Sequence, residues 1–419
     1  MKKERDHTMI MPSAYNTSAE EDVDIFPASF AQQRLWLLEQ FESNTATAHL
    51  SSAVRVSIPL EREALEQSLH ALVQRHAVLR TTFRMQNAQL MQVVSSTINV
   101  PLLVVDVQSL PASQREARVQ QIHIEEMQLP FDLARGPLLR TTLLQLDGQE
   151  SVLLLTGHHL IFDGWSMSLF FQEWITLYEA FCNNQPATLP NLSLQYADFA
   201  RWQLAEQAGE GLTEHLAYWK RQLEGAPSVL ELPADRPHPS LSAHGSSVYP
   251  FVLPQQVREA LADLSRQEGV SLFMLVVAAF QTLLHRYTGQ DDLLVGTMVS
   301  ERTRPQFQGL LGIFLNPLAL RTNLSGNPTF RELVGRVRTV IREAYAHQDV
   351  PFEYLVKELQ PEQALGHHPF FQVLLTMHPS LPILPPGWAF TQAHVETRAT
   401  PFDLSLELDE EGFTGRLCY

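Results

Sequence analysis

Residues 151–181, SVLLLTGHHLIFDGWSMSLFFQEWITLYEAF, change character twice in a short span. Val152 to Leu155 form a near-continuous apolar run, which reads as a strand buried on both faces. His158 and His159 follow, then Leu-Ile-Phe, then Asp163-Gly164. Asp-Gly is a turn signal: glycine supplies backbone freedom and aspartate hydrogen-bonds local amides. Beyond it Phe170, Trp174, Leu177, Tyr178 and Phe181 recur at helical spacing, with Ser166 a predicted N-cap. Strand, polar turn and helix in this order point to an α/β fold with imidazoles at the mouth of an apolar strand.

Successive side chains on a strand point to opposite faces. His158 and His159 therefore cannot both face one pocket if the strand runs through them. One is expected to be functional and the other to pack or orient. Zinc needs three or four converging ligands. With two cysteines and no spaced His/Glu set nearby, no metal is expected. A buried strand histidine is often a satisfied core residue, but two histidines, Asp163, Gly164 and Ser166 within about nine residues favour a site.

The 419 residues suit two or three domains, or two large lobes. A formal net charge of −16 disfavours nucleic acid or an anionic membrane as a partner. Cys182 and Cys418 form no disulfide framework, and a reducing cytoplasm fits. The N-terminus lacks the apolar core of a signal peptide, and the apolar run 272–284 is too short to span a membrane.

Taken in order, residues 1–24 read as a disordered polar lead. Ser29 is placed to cap a helix carrying Leu35, Leu38 and Phe41. Residues 53–58 alternate like a strand, and Leu65, Leu69, Leu72 and Val73 mark an amphipathic helix over 61–76. Arg75 and Arg80 lie near the next strand, either as solvated helix-end charges or as buried partners of a carboxylate. Short strands are expected within 86–105, a helix over 114–128, and a strand over 138–146 that hairpins through Asp147-Gly148 into the histidine-bearing strand. The Pro-rich stretch 185–193 marks a boundary, giving a first lobe over 25–185 and a second over 186–419. In the second, residues 231–247 and SERTRPQFQGLLG (300–312) read as polar loops, helices are expected at 257–268, 271–287 and 330–347, and strands at 293–299 and 374–377. The end alternates as a hairpin around Glu410-Glu411-Gly412, and a closing segment is expected beyond Tyr419. A cleft between two α/β lobes is the expected site.

Seven ordered motifs give the chain a specific resemblance: SFAQQRLWLL from Ser29, RHAVLRTTF from Arg75, HHLIFDG from His158, YADFARW from Tyr196, GIFLNPLALR from Gly312, HQDVPFE from His347 and HPFFQV from His368. In these the sequence resembles the condensation domains of nonribosomal peptide synthetases. The resemblance implies two chloramphenicol acetyltransferase-like lobes in a V-shaped pseudo-dimer with a tunnel between them. Phosphopantetheine arms of donor and acceptor carrier proteins enter from opposite ends; no cofactor is held covalently. It further implies an acyltransferase in which the acceptor amine attacks the donor thioester. His159 then acts as general base or holds the amine, His158 orients, and Gly164 lets the backbone lie close to the reacting centre. Asp163 is structural, with Arg75 ahead of Arg80 as its partner. Trp165, Ser166 and Asn316 are expected along the tunnel. Two departures stand out: Asn316-Pro317 replaces the usual Asn-Thr, and Gly366-His367-His368 replaces a Ser-Arg-Asn lead.

The two histidines argue against a heterocyclising domain and against recruiting relatives that lose the second one. The motif wording looks most like domains joining an L donor to an L acceptor, with a starter domain that adds a fatty acyl group as the alternative. Two further readings are a non-catalytic carrier-protein docking module and a stand-alone acyltransferase using coenzyme A thioesters.

Overall fold

The computed structural model describes residues 23–41, 48–206, 211–233, 247–361, 368–378, 383–391, 402–409 and 414–419. Most of the expected lead, most of the loop at 231–247, the tip at 410–412, and Gly366 and His367 lie outside them. Val23 and Asp24, read as part of the lead, already belong to the first strand.

The first half runs β1 (Val23–Pro27), α1 (Phe30–Phe41), β2 (His49–Val56), α2 (Arg62–Arg75), β3 (Thr81–Gln86), β4 (Gln89–Ser95), β5 (Leu102–Asp106), α3 (Ala112–Gln128), β6 (Leu139–Gln145), β7 (Ser151–His158) and α4 (Gly164–Cys182). The apolar run behaves as its composition demands: every residue of β7 is buried. It lies inside a five-stranded sheet, antiparallel to β2 on one side and β6 on the other. Leu153 and Leu155 join the core that holds Leu65, Leu69 and Leu72 of α2 and Phe170 and Trp174 of α4. Val152 and Leu154, on the opposite face, pack with Val119 and Ile122 of α3. Period two on the strand and period near four on the helices thus meet in two layers.

The second half runs α5 (Tyr196–Glu206), α6 (Gly211–Leu223), β8 (Val248–Val252), α7 (Gln255–Glu268), α8 (Leu272–Thr288), β9 (Asp292–Ser300), β10 (Leu315–Asn323), α9 (Phe330–Ala346), α10 (Phe352–Leu359), β11 (Val373–His378), β12 (Trp388–Thr391), β13 (Leu404–Asp409) and β14 (Thr414–Cys418). A six-stranded sheet has the order β10-β9-β11-β13-β14-β8, with β11 parallel to both its neighbours. Its helices carry strong ends. Ser271 caps α8 and Gly289 closes it at φ 69°, while Thr329 and Glu332 form a capping box on α9. Pro317 sits in β10, an edge strand, where a missing backbone donor is tolerated.

Two features lay outside the sequence reading. β1, β4 and β3 form a third, three-stranded sheet. And β12, from the second half, pairs antiparallel with β2 and extends the five-stranded sheet. The first core likewise takes in Tyr196, Phe199, Phe307, Phe314 and Trp388. The two halves are therefore tied by shared sheet and shared core.

Trp388 anchors that tie, buried and edge-on to Tyr178 at 5.6 Å. Trp388→Ala is expected to lower the unfolding free energy by about 3–5 kcal/mol, as for other buried aromatics cut to alanine. Urea denaturation measures it, with Tyr249→Ala, an exposed position, as the near-neutral control.

Candidate active site

β7 ends at His158, so His159 is not a strand residue. Residues 159–162 form a tight turn before α4. Its walls explain Gly157: a Cβ there would lie 2.5 Å from the Phe162 ring. Gly164 is different. A Cβ at that position meets nothing within 4 Å, so internal packing does not demand glycine there.

His159 is half-buried. Its backbone N–H donates to Ala48 O at 2.7 Å, and its Nδ1–H donates to the Phe162 carbonyl at 2.7 Å. That bond places the ring proton on Nδ1 and leaves the Nε2 lone pair available, with no partner for it among the described residues. Burial holds the imidazole below its ordinary value, opposed by the bond to Phe162 and by the Asp163 charge. The ring is thus neutral near pH 7. His158 is fully buried, and its Nδ1 accepts from Leu160 N at 3.1 Å. The helix cap at Ser29 is as expected, with Ser29 Oγ accepting from Gln32 N. From there Gln32 Nε2 donates to Leu160 O at 3.0 Å, tying α1 to the turn.

Asp163, not Ser166, caps α4: its carboxylate accepts from Ser166 N at 2.7 Å. Its charge partner is Arg302, at 3.1 and 3.2 Å from the two oxygens. Phe314 N donates to the same carboxylate at 3.1 Å. Arg302 is itself held by Phe307 O and Leu310 O, and stacks over the Phe314 ring at 3.9 Å.

The expected partners of Asp163 are elsewhere. Arg75 pairs with Glu173 at 3.0 Å and donates to Pro190 O. Arg80 donates to the carbonyls of Val73, Gln74 and Ser95. The reason is helix geometry. The end of α2 meets α4 at Glu173, ten residues past Asp163, or about 15 Å along the axis at ~1.5 Å per residue.

Two expected tunnel residues also serve other ends. Ser166 is fully buried; its Oγ accepts from Arg302 Nη2 at 2.7 Å and from Gly312 N at 3.0 Å, and donates to Gly312 O. Asn316 spends both amide donors on backbone, donating to Gln348 O and Val350 O, and accepts from Phe352 N. Ser166 has no capacity left for a substrate, and Asn316 keeps only the second lone pair of its Oδ1. Trp165 is exposed, with its indole N–H on Gln308 O.

Arg302 escaped the sequence reading because its segment read as a polar loop. The signal was present: Phe307, Leu310 and Leu311 put three large apolar side chains within five positions, and all three are buried. Gly312 closes the segment at φ 147°, where a Cβ would lie 2.0 Å from the Tyr196 ring. Among the described residues no group of three or more His, Cys, Asp or Glu side chains could hold a metal ion.

The condensation-domain family model matches residues 23–419. The chain belongs to the condensation-domain family. One of the linear gramicidin synthase proteins of Brevibacillus parabrevis is 45% identical over 381 residues, 91% of this chain and 5% of that protein. Another protein of the same synthase is 47% identical over 351 residues, 84% of this chain and 7% of its own length. The domain thus spans a small part of these relatives. Among solved structures, the X-domain in its complex with OxyB from teicoplanin biosynthesis superposes with a TM-score of 0.80 at 29% identity, covering 98% of this chain and 91% of that one. The resemblance read from the seven motifs is borne out, and the fold is the chloramphenicol acetyltransferase-like one of condensation domains.

Two stability predictions follow from this geometry. Arg302→Met strands the buried Asp163 carboxylate and is expected to cost about 3–5 kcal/mol by urea denaturation. Glu301, next in sequence, accepts from Gln203 Nε2 at 2.8 Å. Burial pushes its carboxyl up to about 7 from 4.5. A raised carboxyl binds its proton in the folded state, so stability falls as pH rises from about 4.5 to about 7. Glu301→Gln removes that loss, and its unfolding free energy in urea is expected to gain on the parent by about 2 kcal/mol between pH 5 and pH 8.

Proposed function

We propose that this domain forms an amide bond between a donor acyl or peptidyl thioester and an acceptor aminoacyl thioester, both carried on phosphopantetheine arms of carrier proteins. The acceptor amine nitrogen attacks the donor carbonyl, a tetrahedral intermediate forms, and the carbon–sulfur bond breaks. The longer chain remains on the acceptor arm, and the donor leaves as a thiol.

His159 is the residue assigned to this chemistry. Its Nε2 lone pair, left open by the Nδ1–H bond to Phe162, accepts a hydrogen bond from the incoming amine. It takes the amine proton as the carbon–nitrogen bond forms and returns it to the departing sulfur. His158 seats the turn. Asp163 with Arg302 holds the start of α4, and exposed Gly164 leaves backbone open beside the turn. The observation that carries this reading is the neutral, one-sided imidazole in the turn that follows the buried strand β7.

Similarity to the proteins of a peptide synthase supports carrier proteins and adjacent synthetase domains as partners. Among the described residues no single helix is long and apolar enough to cross a membrane; we assign the domain to the cytoplasm. An L donor with an L acceptor is the subtype proposed, on the wording of the motifs.

The test loads donor and acceptor carrier proteins and follows the product by intact mass. His159→Ala is expected to lower turnover ~10²–10⁴-fold, the usual loss for a general base. Turnover near that of the parent removes His159 from the mechanism. Product from coenzyme A thioesters without carrier proteins would favour a stand-alone acyltransferase instead, and a D-configured donor preferred over its L form would overturn the subtype.

A further inference from the structure

Two buried polar atoms near the turn have no aligned hydrogen-bond partner among the described residues: His158 Nε2 and Glu39 Oε2. They lie 3.2 Å from each other. The His158 side chain is 0% exposed and that of Glu39 is 10% exposed. Because Leu160 N–H donates to His158 Nδ1, the imidazole proton must sit on Nε2, the atom that faces Glu39. The two groups lie within bonding distance but without the alignment of a formed hydrogen bond; a small turn of either side chain closes it, in a place where leaving it unmade costs about 1–3 kcal/mol.

The surroundings leave the ring little choice. Phe131 stands edge-on to both His158 and His49, at 5.9 and 4.9 Å. His49 donates from Nδ1 to Met127 O, and burial lowers its imidazole to about 4. It is therefore neutral and does not compete as a cation for Glu39. The His158 backbone is fixed as well, its N–H donating to Leu138 O and its carbonyl accepting from Ile161 N. The next residue in the same turn is His159.

We propose that Glu39 is a positioning residue for the reaction: from α1 its carboxylate holds the His158 ring in the Nε2–H tautomer. The Leu160 bond then forms, and the turn presents His159 with Nε2 outward. This rests on the assignment of His159 above. Glu39 itself touches neither substrate nor the reacting atoms.

The experiment compares Glu39→Leu, Glu39→Gln and His159→Ala with the parent domain. It reads kcat and KM with loaded carrier proteins, the melting temperature, and the ¹⁵N imidazole signals of the His158 ring. Glu39→Leu is expected to lower kcat ~10–100-fold, with KM within about twofold, as when the partner that orients a functional imidazole is removed. It should also move the His158 signals away from the Nε2–H pattern. Glu39→Gln, whose Oε1 still accepts from Nε2–H, should restore most of kcat and the pattern. Should the leucine variant not fold, Glu39→Ser carries the same expectation. Parental kcat in Glu39→Leu overturns the proposal. So do equal losses in the Leu and Gln variants with unchanged His158 signals, which would mark a merely structural role. If His159→Ala keeps full turnover while Glu39→Leu still shifts the His158 signals, the pairing stands and the assignment of His159 fails.

Discussion

The buried pair of Asp163 and Arg302 is the interaction on which the site depends. Two charges removed from water are costly, and their attraction offsets that only when the remaining donors and acceptors are used. Here most are. Asp163 accepts from Arg302, Ser166 N and Phe314 N, while Arg302 donates to Asp163, Ser166 Oγ and two carbonyls. One carboxylate thereby caps α4 and fastens a segment from the other half of the chain beneath it. Arg302 Nε stays without a partner among the described residues. The guanidinium face instead rests on Phe314, a contact that suits its weak hydration.

From that clamp the rest of the site is built by close approach. Phe162 fills the space a side chain at residue 157 would take, and Tyr196 does the same at residue 312. The Tyr196 hydroxyl then bonds Ser29 and the Ile313 carbonyl, joining α1, α5 and the Arg302 segment. Arg34 of α1 reaches Glu353 of α10 and the Leu315 carbonyl. These bonds, with β12 laid against β2, give the turn carrying His159 a floor made from both halves. A stiff floor matters because an imidazole held in one orientation beforehand loses less freedom when it engages another group.

Much of this was legible along the chain. Apolar runs and their periods located β7, α2, α4 and α9, and the hairpin signal at Asp147-Gly148 joined β6 to β7 as expected. Alternation also separated the roles of the two histidines, although the strand stops at His158 and the turn does the separating. Ser166 was read as a cap from its residue type, yet Asp163 three residues earlier outcompetes it because a carboxylate is the stronger acceptor. Residue type makes Asn316 a tunnel-lining candidate, but its two amide donors match the Gln348 and Val350 carbonyls and its oxygen matches the Phe352 N–H, and the backbone claims it.

Sequence by itself determined the local chemistry: a buried strand, a polar turn with two imidazoles and a carboxylate, and a helix to follow, because period and turn propensity act over a few residues. Family membership was equally plain from seven ordered motifs. Tertiary structure alone decided which arginine meets Asp163. Its partner lies 139 residues away, and nothing local distinguishes one guanidinium from another. Only the packing of Phe307, Leu310 and Leu311 into the shared core draws that segment inward and carries Arg302 with it.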